Sequence, residues 1–345
     1  MKVFIDISKL SPKSLKRGIG SYSTGLYKSL KKFDKENLYS LVKNKTNKNN
    51  PDLIHYPYFD LFFLNLSIVK QKPTIVTIHD LTPLKHPEHF PAGLRGGLKL
   101  VIQKLALKSV KAIITDSLNS KKDIQSLLGI NKDKIFVVYL AADSIYKKIK
   151  IAESKQKEIK EKYGIKNNFL LYVGDINWNK NISGLVKAFY KLKSDCQLVL
   201  VGNVFNDLNL LEAKEIRNLI DKLKLKKDIL LPGFIPKKDL VLLYNLASLY
   251  IQPSFYEGFG LPVLEAISCG CPVLCSNKAS LPEVGGKAVE YFDPSNTGEL
   301  EEKIKMLILD ANKLTNMSKN GLKQAKKFSW KKTALETKKV YEKVY

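Results

Sequence analysis

The chain has 345 residues, more than one hydrophobic core usually accommodates, which predicts two domains of ordinary size. Hydrophobic residues make up 44% of it, yet runs such as 169–173 and 246–251 are strand-length, so none is long enough to cross a bilayer as a helix. The formal net charge of +25 is uneven: residues 1–165 carry 31 basic and 14 acidic side chains, the rest 27 and 19. An electropositive first half favours phospholipid, a phosphorylated lipid carrier, a charged saccharide or nucleic acid without choosing among them. Dispersed lysines and scarce arginine fit equally a chain that uses Lys on solvated faces.

Met1 to Ile7 run straight into a strand pattern without the apolar segment and cleavage site of a secretory signal, an expectation of a cytoplasmic protein. Strands are predicted over 3–8, 39–42, 53–58, 75–79, 112–115 and 135–140, with helical periodicity over 20–33 and 94–110 between them. Such alternation specifies an α/β domain with a parallel sheet covered on both faces. The Lys/Asn stretch 43–50 reads as a loop. Residues 94–109 interleave Arg95, Lys99, Lys104 and Lys108 with leucines; this suits a helix lying on an anionic leaflet, or a core-packed helix with a solvated basic edge.

Charged residues 149–166, containing Gly164, mark the passage to a second domain. There the pattern repeats, with strands over 169–174, 197–202, 229–232, 246–252, 272–276 and 288–292. Helices are predicted over 181–192, 209–223, 238–243, 262–268, 297–309 and 312–327. A last helix opens at Ser329 and carries Trp330, Ala334, Val340 and Tyr341 on its apolar face. The division is therefore 1–160, 161–328 and 329–345. Cys196, Cys269, Cys271 and Cys275 lack paired CxxC spacing and read as buried thiols. His55, His79, His86 and His89 lack the carboxylate spacing of a zinc or iron site, so no metal is expected.

Four segments carry candidate chemistry. Lys16-Arg17-Gly18-Ile19-Gly20 follows the first strand, placing Gly18 and Gly20 where backbone can approach a ligand at a helix start. The run 74–80 ends its strand with His79 and Asp80, on the sheet rim where open α/β proteins bind ligands, and Thr115-Asp116-Ser117 followed by Ser120 offers hydroxyls on the same rim. Gly174 and Lys180 repeat the strand, glycine, loop, helix arrangement, with Lys180 positioned as a point charge toward a diphosphate. In Glu257-Gly258-Phe259-Gly260-Leu261-Pro262-Val263-Leu264-Glu265, Pro262 opens a helix and the amides of Phe259, Gly260 and Leu261 face a ligand. Glu265 lies in an apolar helix where an unpaired carboxylate is costly, and a ribose diol would satisfy it; Glu257 suits a hexose hydroxyl.

At these residues the sequence resembles glycosyltransferase family 4, the retaining GT-B transferases. The likeness runs through GIGSYSTGLYKSL, TIVTIHDLTPLKHPEHFP, YVGDINWNKN, LPGFIPKKDL and SFYEGFGLPVLEA, with HDLTPLKHPEHFP closest to the mannosyltransferase branch. The resemblance implies two Rossmann-like domains facing each other across a cleft, with the last helix crossing back to the first. It implies a donor nucleotide diphosphate-sugar as co-substrate, with GDP-mannose favoured and a UDP-sugar as the alternative, and no further cofactor. Glu265 would hold the ribose, Glu257 the hexose and Lys180 the leaving diphosphate, with Phe259, Gly260 and Leu261 contributing amides. Gly18, Gly20, Gly174 and Phe234 would lie near the donor, and His79 near the reacting carbon.

Many relatives have Arg where this chain has Asn179, which removes one cation from the diphosphate side. The implied acceptor is a saccharide or lipid-linked saccharide, presented at the inner face of the membrane if the basic first domain contacts anionic lipid. The competing functions are a GT-B nucleotide-sugar epimerase and a basic nucleic-acid-binding protein; the latter lacks interleaved aromatic and basic residues.

Overall fold

The computed structural model describes residues 1–11, 18–43, 50–166 and 168–345. Lys16-Arg17 and positions 44–49 of the expected loop lie outside them. Two compact units are formed, one by Met1–Ala141 with Phe328–Tyr345, the other by Ala142–Lys327.

In the first unit β1 (Lys2–Asp6), α1 (Gly18–Phe33), β2 (Leu38–Val42), β3 (Leu53–Tyr56) and β4 (Thr74–Thr77) lead into α2 (Thr82–Lys85) and α3 (Gly93–Lys108). They are followed by β5 (Ala112–Thr115), α4 (Leu118–Leu128) and β6 (Ile135–Val137). All strand pairings are parallel, in the order β2-β1-β3-β4-β5-β6. β4 and β5 are buried at every position, as expected of apolar runs covered on both faces. Val76, Ile78, Ile113 and Ile124 centre the core beneath α3 and α4. Ser117 starts α4 by accepting the Ser120 amide, and Gly129, at φ 66°, ends it in a left-handed conformation that favours glycine.

The second unit runs α5 (Glu153–Lys162), β7 (Phe169–Val173), α6 (Ile182–Leu192), β8 (Gln197–Val201), α7 (Leu211–Lys222), β9 (Ile229–Gly233), α8 (Lys237–Leu246) and β10 (Leu249–Gln252). It continues through α9 (Leu261–Ser268), β11 (Val273–Ser276), α10 (Leu281–Gly285), β12 (Glu290–Phe292), α11 (Thr297–Leu309) and α12 (Ala311–Ala325). The parallel order β12-β11-β10-β7-β8-β9 is that of a dinucleotide-binding Rossmann sheet. Leu170, Tyr172, Leu198, Leu200 and Ile251 form its core with Leu185 and Phe189 of α6.

Residues 142–160, drawn with the first domain in the sequence, pack with the second. Asn245 of α8 accepts the Ile149 amide at 3.0 Å and donates to the Lys147 carbonyl at 3.0 Å, while Lys237 Nζ donates to Asp143 Oδ2 at 3.0 Å. These bonds move the boundary to 141/142. The strand expected from 246 begins at Leu249, because α8 extends to Leu246 and the Ala247 amide still donates to the Leu243 carbonyl.

The last helix, α13 (Trp330–Val344), belongs to the first unit. Its Trp330 ring fills the space above Gly25 of α1, where a Cβ would come within 2.6 Å of it. Tyr341 bonds to His55 at 2.7 Å, and the other His55 nitrogen meets Thr77 at 2.8 Å. Burial pushes the His55 pKa down to about 3, so the ring is neutral and bridges the two hydroxyls with one donor and one acceptor nitrogen.

Candidate active-site groups

In the second unit the sheet order reverses between β7 and β10, the position at which open α/β sheets bind ligands beyond their strand ends. The segments leaving these two strands carry Lys180 and Glu257. Beyond β7, Gly174 sits where a Cβ would lie 2.5 Å from the Tyr172 hydroxyl, and its carbonyl lies 2.2 Å from the Cβ position of Gly202. Side chains are thus excluded from this crossing. A 3-10 turn, Trp178–Lys180, follows, and Asn181 at φ 53° redirects the chain into α6.

The two segments are clamped together. Asn179 is buried, donates to the Tyr256 carbonyl at 2.9 Å and accepts the Phe255 amide through its own carbonyl at 2.8 Å, while Trp178 stacks on Phe255 at 5.0 Å. Asn181 donates to the Pro253 and Pro294 carbonyls. Asn179, which the sequence presents as a lost cation, therefore holds backbone.

The clamp brings Lys180 Nζ within 2.8 Å of both Glu257 oxygens. Glu257 Oε1 also accepts from Gln252 Nε2 at 2.9 Å and Ser254 Oγ at 2.7 Å, and Gln252 Oε1 accepts from the Tyr250 hydroxyl. With side-chain exposures of 19% for Lys180 and 11% for Glu257, the pair is largely shielded yet retains an open edge. Shielding strengthens its field, and the network limits the reorganisation needed when a ligand arrives.

Glu265 lies one helical turn into α9, which Gly260 opens at φ 99°; a Cβ there would come within 2.6 Å of Leu281. The Tyr244 hydroxyl donates to Glu265 Oε2 at 3.2 Å, and Tyr146 donates to the same carboxyl. Burial pushes the Glu265 pKa up to about 7 despite these donors. Burial pushes the Tyr250 pKa well up, and the charges of Tyr172, Glu257 and Glu265 add to the rise.

A carboxyl raised on folding binds its proton more tightly in the folded state, so it favours folding at low pH. That contribution falls as pH rises from about 4.5 to about 7 and is flat above. The fall is worth at most about 3 kcal/mol. In Glu265→Gln it is expected to disappear, so the stability difference between variant and wild type, from urea titrations across this range, should change in the variant's favour as pH rises.

Gly260 and Leu261 occupy the helix start, where amides lack intrahelical acceptors. Phe259 is buried, whereas Phe234, after Gly233 at φ 75°, is 71% exposed.

In the first unit, His79 Nδ1 lies 2.6 Å from Asp116 Oδ2, and Nε2 lies 3.2 Å from the Pro57 carbonyl. Tyr22 meets the ring edge-on at 4.7 Å and bonds through its hydroxyl to Thr77 at 3.1 Å. Ser120 donates to the His79 carbonyl at 3.0 Å, fixing the backbone. Burial opposes a charged His79, but Asp116, through its charge and hydrogen bond, raises the pKa above the ordinary value. Burial likewise raises the Asp116 carboxyl. Asp116 Oδ1 is buried without a hydrogen-bond partner among the described residues. Gly18 and Gly20 stand in the first turn of α1; Gly20 is buried, and open space surrounds the Cβ position of Gly18.

Lys180, Glu257, Glu265 and Gly174 are thus gathered around the second unit's switch point, and His79 marks the rim of the first. The sequence reading missed the Asp116 link to His79, the Gln252 and Ser254 support of Glu257, and the tyrosines on Glu265. A buried Gln at the end of an otherwise apolar strand is the signal that could have exposed the second of these.

Residues 20–144 match the family model described as Glycosyltransferase Family 4, and residues 155–324 that of Glycosyl transferases group 1. The Escherichia coli O-antigen chain mannosyltransferase B is 32% identical over 269 residues, covering 78% of this chain and 70% of the relative. Serotype-specific mannosyltransferase WbdA of Escherichia coli is 30% identical, covering 76% of this chain but 32% of that much longer protein. Among solved structures, Anabaena HepE in complex with UDP and glucose superposes with a TM-score of 0.78 at 18% identity, covering 99% of this chain and 100% of the other. Sucrose-phosphate synthase from Thermosynechococcus elongatus gives the same TM-score over 99% and 98% of the two chains. The two Rossmann-like units are those of the GT-B fold, and the chain belongs to glycosyltransferase family 4 as a hexosyltransferase.

Proposed function

We propose that the chain transfers a mannosyl group from GDP-mannose to a saccharide or lipid-linked saccharide with retention of anomeric configuration. The observation that carries the reading is the Lys180–Glu257 pair at the switch point, in a chain whose similar curated relatives include mannosyltransferases. Lys180 neutralises charge developing on the leaving diphosphate, helped by the amides of Gly260 and Leu261. Glu257 accepts from a hexose hydroxyl, and Glu265 accepts from the ribose diol. Phe234 offers an exposed ring beside the donor.

The acceptor oxygen bonds to the anomeric carbon as the bond from that carbon to the diphosphate breaks. The acceptor proton passes to the leaving phosphate oxygen on the same face. No side-chain nucleophile is required, and His79 orients the hexose.

A diol donating to the ionised Glu265 carboxylate would lower its pKa from about 7, so nucleotide binding should release protons near neutral pH. Calorimetry in buffers of different ionisation enthalpy is expected to detect this release in wild type and lose it in Glu265→Gln. In a thermal-stability panel, GDP-mannose at a hundred times its Kd should stabilise the chain by about 2.7 kcal/mol over the ligand-free protein, and more than UDP-glucose or UDP-galactose at the same concentration. Preferential stabilisation by a UDP-sugar would overturn the proposed donor while leaving hexosyl transfer intact.

A further inference from the structure

The first unit exposes an apolar stripe that its own fold leaves uncovered. Leu94, Leu98, Val101 and Leu105 recur at helical spacing along α3, with Leu94 96% and Leu98 66% exposed, whereas Gly96, Gln103, Ala106 and Leu107 form the buried side. The helix therefore has two faces, one packed on the core and one apolar toward solvent. Beside it, residues 60–70 are stapled to the buried side. Gln103 Nε2 donates to the Asp60 and Phe63 carbonyls, and Ser109 Oγ donates to the Ile68 carbonyl. Phe63 and Val69, 67% and 77% exposed, extend the apolar surface.

Charge decides what covers this face. Residues 93–111 contain Arg95, Lys99, Lys104, Lys108 and Lys111 and no acidic residue, and the 16-residue α3 is about 24 Å long. Exposed Arg95 lies to one side of the stripe and exposed Lys108 to the other, while the Lys104 ammonium donates to the Leu127 carbonyl at 3.0 Å. A second copy of the chain would oppose like charges across such an interface, whereas an anionic leaflet accepts the leucines below its headgroups and pairs the basic flanks. We propose that α3 and residues 63–69 form a docking surface for anionic phospholipid, with α3 lying in the plane of the interface.

None of these residues is assigned to donor binding, so vesicle affinity and transfer activity can fail independently. The purified full chain is expected to co-sediment with vesicles of phosphatidylglycerol and phosphatidylethanolamine and to remain free with phosphatidylcholine alone. Removing the exposed charges in Arg95→Gln/Lys108→Gln should weaken binding about fivefold per charge. Leu98→Ser/Leu105→Ser, which changes only exposed positions, should weaken it tenfold or more while retaining wild-type circular dichroism. Equal binding to both vesicle types, or undiminished binding by the serine variant, would overturn the proposal. So would a concentration-dependent dimer abolished by the serine changes without any vesicle binding, which would assign the face to a second copy.

Discussion

Lys180→Ala is expected to lower kcat about 10²–10³-fold, with a smaller change in the donor KM. The ammonium is held at 2.8 Å from each oxygen of Glu257, so its position is fixed before the leaving group acquires charge. Its field is therefore worth most in the transition state, which is why kcat rather than KM should carry the loss. Removing it also strands a carboxylate that is 89% shielded, although Gln252 and Ser254 still donate to it. The stability cost should then fall at or below the lower end of the roughly 3–5 kcal/mol seen when one partner of a buried pair is removed. Pairing Lys180→Ala with Glu257→Gln should recover part of that stability without recovering activity. Wild-type kcat in Lys180→Ala would reduce the pair to a structural ion pair.

His79→Ala should cost about 10²-fold or more in kcat if the ring donates to the transferred hexose. Asp116→Asn gives a sharper test, because it separates the ring's charge from its presence. Burial lowers the tendency of His79 to hold a proton and Asp116 overcomes it, so the folded pKa lies above the ordinary 6.5. The stabilisation this pairing gives is complete below pH 6.5 and is lost as pH rises through the folded value. In Asp116→Asn, burial acts without that carboxylate, and the histidine should titrate at lower pH in an NMR titration. Where activity needs the charged ring, the alkaline limb of the kcat profile should move down with it. An unchanged His79 titration would contradict the assigned coupling.

The strands were legible because central parallel strands are continuous apolar runs: 112–115 and 197–201 are buried throughout and bounded by polar turns. Lys180, Glu257 and Glu265 were legible because each follows a strand end or interrupts an apolar helix. The His79–Asp116 contact was not, since it joins residues 37 positions apart and depends on register. Thr77 pairs with Ile114, which sets the two strand ends side by side, and nothing local announces that pairing. Asn179 shows the reverse difficulty: the absence of an arginine is visible in sequence, but the clamp on Tyr256 and Phe255 is visible only in three dimensions. The surface of α3 was ambiguous for a related reason. Its leucines fill more than one face, and which face meets the core is decided by Gln103 and the segment beside it.

The most direct test of hexosyl transfer at the Lys180–Glu257 site is acceptor-dependent release of nucleoside diphosphate from GDP-mannose, with the product's anomeric configuration read by NMR. Release that requires a saccharide acceptor, yields an α-linked product from the α-linked donor and falls at least a hundredfold in Lys180→Ala is the expected result. Conversion of the donor without acceptor, or undiminished transfer by the variant, would contradict it.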